Sequence, residues 1–132
     1  MKYIVLALIT IVAILPIGIG LASTPKFKFY KDPDIMEQEI SRFIPTGTSI
    51  VEAKKIMERN RFKCEYSEKD TFARTREVPD TSVPEAIFFR NVDFLLCNHS
   101  KGFIVTQDWI VGIFHENGLV TNVAVNYGLT GP

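Results

Sequence analysis

Two cysteines and two histidines are all that this chain of 132 residues offers to thiol chemistry or to a soft metal. Neither cysteine belongs to a Cys-x-x-Cys pair, which removes the usual arrangement of a redox dithiol. Cys64, Cys97, His99 and His115 supply four zinc ligands only if separate strands converge, because the paired short spacings of zinc sites are missing. An excess of one charge is missing too. Fifteen basic and fifteen acidic residues give a net charge of zero, so nothing favours a phosphate backbone and no nucleic acid is expected as partner. No Gly-x-Ser-x-Gly elbow, nucleotide-binding signature, internal repeat or low-complexity tract occurs. The chain is therefore read as non-enzymatic, with no catalytic residue, metal or cofactor.

What is present begins at the N-terminus. Met1 to Ala22 carries one charged side chain, Lys2, and Tyr3 to Leu15 is apolar apart from Thr10 before Pro16, Gly18 and Gly20. That order describes a secretory signal peptide, with Gly20 and Ala22 as small residues before a cut. The same stretch, Tyr3 to Leu21, matches the ~20 residues of a membrane-spanning helix. Residues 1–22 are expected to be a signal peptide or a membrane anchor, 23–33 a linker and 34–132 a small domain. The domain is then exported to the cell envelope or periplasm, or held at the cytoplasmic membrane by a single N-terminal helix.

Within the domain, Ile35, Met36, Ile40 and Phe43 predict a short helix over Asp34–Phe43 that Pro45 and Gly47 end. Ser49 followed by Glu52 has capping-box spacing, and Ile50, Ala53, Ile56 and Met57 share one face of a second helix reaching about Asn60. Phe62–Tyr66 reads as a strand, Ser67–Glu85 as a long polar loop, and Ala86–Asn98 as one or two strands broken near Arg90 and Asn91. Phe103–Thr106 reads as a further short strand. Glu116, Asn117 and Gly118 suit a three-residue hairpin loop closed by Gly118 with a bulge. Parity then puts Trp109, Val111 and Ile113 on one sheet face with Thr121, Val123 and Val125. Ile110, Phe114, Val120 and Ala124 fall on the other face, a candidate binding face covered either by the first helix or by a partner. The expected architecture is α+β in two layers: one or two short helices on a three- to four-stranded antiparallel sheet, preceded by an N-terminal hydrophobic helix.

A Gly47-Thr48-Ser49 turn opening an amphipathic helix, followed by a sheet ending in the hairpin Phe114 to Val123, resembles the SmpA/OmlA family of small outer-membrane lipoproteins with the BamE-like fold. The resemblance implies a two-layer module that binds other envelope proteins without catalysis. Two departures stand out: no lipid-acceptor Cys follows the apolar segment, and Asn60-Arg61-Phe62 replaces the family's Gly and Pro turn.

An exported chain meets oxidising conditions, so Cys64 and Cys97 are expected to form a disulfide, the alternative being two buried thiols. Asn98-His99-Ser100 matches a glycosylation sequon. Asp32, Asp34 and Glu37 are read as helix N-terminal acids. The functional expectation is a protein-binding adaptor that uses the second sheet face, an exposed strand edge or the 67–85 loop. An inhibitor of a secreted hydrolase is the alternative, and a thiol or metal protein a further one.

Overall fold

The computed structural model describes residues 26–131; the expected signal or anchor over 1–22 and the start of the expected linker lie outside the described residues. The rest of that linker is not a free spacer. Phe27 is buried and its amide donates to Asn60 Oδ1 at 2.8 Å, Phe29 stacks on Phe62 and His99, and the Tyr30 carbonyl accepts from Trp109 Nε1 at 2.8 Å. The aromatic residues Phe27, Phe29 and Tyr30 make this stretch adhere to the core.

Helix α1 (Pro33–Phe43) starts where Asp32 accepts from the amides of Asp34 and Ile35 and where Pro33 loses no bond by lacking an N–H. It buries Met36, Glu39 and Ile40. Helix α2 (Ile50–Arg59) buries Ile50, Ala53, Ile56 and Met57, the face its spacing gives. The capping box does not form: the Ser49 side chain makes no cap bond. The Ile50 amide instead donates to the Gly118 carbonyl at 2.8 Å, so a hairpin turn satisfies the helix start that a side chain was expected to satisfy.

Four strands, β1 (Lys63–Arg76), β2 (Glu85–Gly102), β3 (Thr106–Glu116) and β4 (Leu119–Thr130), form one antiparallel sheet in the order β1-β2-β3-β4. The helices lie on one face over Leu95, Cys97, Trp109, Val111, Ile113, Val123 and Val125. The α+β class and the helix-on-sheet layering are as the sequence implies. Among the described residues no helix is long and apolar enough to cross a membrane.

Three local expectations are corrected. Ser67–Glu85 is mostly strand, since β1 runs to Arg76 and only residues 77–84 connect it to β2. Residues 103–105 are the β2–β3 turn rather than a strand. The β3–β4 connection is a two-residue turn, Asn117-Gly118, with both φ positive at 53° and 78°, and Glu116 pairs with Leu119. The extra residue that sets the parity sits in β4: His115 opposes Val120 and Phe114 opposes Asn122, leaving Thr121 bulged. Trp109, Val111 and Ile113 accordingly share the helix-side face with Val125 and Val123.

The outer halves of β1 and β2 form an arm that bends over the second sheet face. One extra residue in β1 between Ser67 and Asp70 and one in β2 between Val92 and Phe89 make the bend, with Lys69 and Asn91 in the left-handed region. The sequence break expected near Arg90 and Asn91 is this bulge inside a single strand. Phe72 of the arm then packs with Phe94, Phe114 and Ala124 into a second small core. Neither the first helix nor a partner is needed to cover that part of the second face, because the sheet covers it with its own end.

Candidate functional site

The arm stays down because it is clasped to β4 and α1. Asn126 of β4 accepts from the Thr75 amide at 2.8 Å and donates Nδ2 to the Ala73 carbonyl at 2.7 Å, one side chain standing in for a stretch of β ladder. Arg76 donates to the Val125 carbonyl at 2.6 Å, and the Val125 amide donates to Glu37 Oε2 at 2.9 Å. Glu37 also accepts from Arg74 Nε at 2.9 Å and Arg76 Nη2 at 2.7 Å, while Asp34 Oδ1 accepts from Arg74 and Arg76 at 2.8 and 3.0 Å. The hydrogen bond to Glu37 raises the Arg74 guanidinium above its ordinary pKa against the opposing effect of burial, and the Glu37 and Asp34 charges add to the rise. Asp34 and Glu37 thus do more than favour a helix N-terminus. They lie three apart on α1 and meet Arg74 and Arg76, two apart on one face of a strand, a signal that an expected 67–85 loop concealed.

The clasp decides which strand edges remain open. On β4, Gly47 and Thr48 bond to Val120 and Ile50 to Gly118, and Glu37 with Arg76 covers Val125. The outer edge of β1 carries Lys63, Glu65, Glu68 and Lys69 and a bulge, features that discourage strand addition. Glu85–Val92 of β2 differs. It pairs with β1 alone, since its pairing with β3 begins at Phe94, and it presents Ala86, Ile87 and Phe88 in a row, with Phe89 packed on Phe114. Ile87 and Phe88 are 44% and 55% exposed, and the Arg90 guanidinium lies 5.1 Å from the Phe88 ring centre. This edge is apolar over Ala86–Phe88 and is held in place by the clasp of the arm to β4 and α1.

The residues singled out from sequence are dispersed. Cys64 and Cys97 face each other across β1 and β2 and are joined as a disulfide. Of the four residues of the candidate binding face, Phe114 and Ala124 are buried beneath the arm, Val120 lies in the main core, and only Ile110 is exposed. His99 stacks among Phe29, Phe62 and Trp109 with Nδ1 3.0 Å from the Arg61 carbonyl. His115 lies at the other end of β3, its buried Nε2 without a hydrogen-bond partner among the described residues. Among the described residues no three His, Cys, Asp or Glu side chains converge as metal ligands, and the disulfide occupies both thiols. Asp108 is surrounded by the hydroxyls of Ser100, Thr106 and Thr130; the Ser100 bond, then the Thr130 bond, lowers its pKa. These contacts join the ends of three strands.

No protein-family model, curated protein or solved structure matches this chain.

Proposed function

We propose that this chain is a non-enzymatic protein-binding module of an oxidising compartment outside the cytoplasm, and that it receives an extended partner segment along the Glu85–Val92 edge of β2. The open, apolar, clasped edge carries the proposal. An added strand would take its affinity from main-chain hydrogen bonds and its specificity from side-chain contacts on the two faces, at Ile87 on one and Phe88 on the other. A rigid edge lowers the ordering cost of such binding, and the Asn126 and Glu37 contacts supply that rigidity. The Cys64–Cys97 disulfide agrees with an exported setting. The resemblance to SmpA/OmlA modules, which bind envelope proteins, points the same way.

A photo-cross-linking side chain at position 88 tests the reading in the native host, with the same group at position 65 on the β1 edge as control. The expected outcome is one discrete adduct from position 88. In the reconstituted complex, the Glu85–Arg90 amides should exchange more slowly than in the free protein. Adducts of equal yield from both positions, or unchanged exchange, would refute edge binding.

A further inference from the structure

The turn between β2 and β3 breaks the usual composition of turns. Where Gly, Asn, Asp or Ser is expected, it places Phe103, Ile104 and Val105 in succession. They are 95%, 67% and 52% exposed, and Leu129 on the neighbouring strand is 67% exposed. Gly102, with φ of 130°, lets the chain turn so tightly that a Cβ there would meet the Val105 carbonyl oxygen, which directs the three apolar side chains outward. β2 and β3 pair to the final residues, Gly102 with Thr106, so the turn itself leaves no backbone edge open for strand addition.

Two further observations identify the occupant. Exposed cations stand on the segments that pack at this end: Lys28 beside Phe29, Arg61 whose carbonyl contacts His99, Lys63 opposite Asn98, and Lys101 next to the turn. In the sequence, the apolar stretch Tyr3–Leu21 precedes the Phe27–Tyr30 segment that packs near this end. Phe29 docks on His99 and Trp109, three residue pairs from the Gly102–Thr106 pair, or ~10 Å along the strands. Apolar tip and cations share this end of the domain.

We infer that the Phe103-Ile104-Val105 turn, with Leu129, inserts into the interface of a phospholipid bilayer while the surrounding lysines and arginine meet anionic headgroups. Such a contact would fix the orientation of the domain on the membrane, whether or not residues 1–22 are retained.

The test uses the full chain with Phe103→Trp, reconstituted in vesicles of equal parts phosphatidylcholine and phosphatidylglycerol. Phe103 is 95% exposed, so the change leaves the core intact, and the buried Trp109 gives a constant background. Insertion by ~5–10 Å should shift the introduced indole's emission to the blue and let lipids brominated near the top of the acyl chain quench it at least about twofold. Adding Ile104→Asp and Val105→Asp should abolish both effects. Emission typical of water would overturn the inference. A blue shift that brominated lipid does not quench would also overturn it, by showing that the turn is buried in a second copy of the chain.

Discussion

A Cβ placed on Gly112 would stand 2.8 Å from Cε2 of Phe72, whose ring is held between Phe94 and Phe114. The ring has no free side to move to, so Gly112→Ala should cost about 1–3 kcal/mol by overpacking. Adding Phe72→Leu removes the clashing atoms. In urea unfolding, the double variant should then lose less than the two single losses added together. Strict additivity would mean that Phe72 does not press on Gly112. Asp108 gives a pH-dependent counterpart. Its pKa is lowered in the folded state by Ser100, Thr130 and Thr106. Its contribution is therefore complete above the unfolded value of about 3.9 and disappears as pH falls through the folded value. Asp108→Asn should lower the urea midpoint at neutral pH and reduce the loss of stability seen on acidification below about pH 4. A variant that follows the wild-type curve in parallel would exclude this role.

The arm is held by a few directional contacts, and each can be removed singly. Asn126→Leu deletes both bonds to Ala73 and Thr75 and leaves a backbone donor and acceptor unmatched, at a cost of about 1–3 kcal/mol. Exchange at the Thr75 amide should accelerate while exchange in the Val111–Ile113 stretch of β3 stays slow, because only the clasp opens. Equal acceleration throughout would show that arm and body unfold as one. This device is also the part of the fold that the sequence conceals. Helix faces and the β3–β4 hairpin were legible because apolar residues recur with a clear period and Asn117-Gly118 marks the turn, although the parity comes from a bulge at Thr121 rather than from a longer loop. Lys69 to Arg76 reads as loop because its inner face carries one ring, Phe72, and then Arg74 and Arg76, whose acidic partners lie 37 to 42 residues away. Alternation of apolar and polar residues marks a strand only where its inner face meets hydrocarbon, and this one meets carboxylates. The candidate binding face is partly hidden for a related reason: what covers Phe114 and Ala124 is the same unrecognised strand pair.

For the molecule as a whole, the Cys64–Cys97 bond closes a chain segment with a sequence separation of 33, and that segment contains the entire arm. Its effect should differ in kind from that of the clasp. Asn126 acts on the folded arm, whereas a crosslink acts mainly by restricting the unfolded chain, which for this loop length is worth about 3–4 kcal/mol in the chain-entropy model. Domains of this size commonly have a margin of only about 5–15 kcal/mol, so reduction should remove a large part of it. The joint substitution Cys64→Ser and Cys97→Ser should therefore lower the urea midpoint strongly. It should leave the native ratio of arm exchange to β3 exchange almost unchanged, since β1 and β2 remain paired on both sides of the bond and the clasp is intact. The contrast with Asn126→Leu makes the assignment testable. Arm amides that exchange faster in the serine variant, with the urea midpoint unmoved, would show that the bond holds the arm in place instead of restricting the unfolded chain.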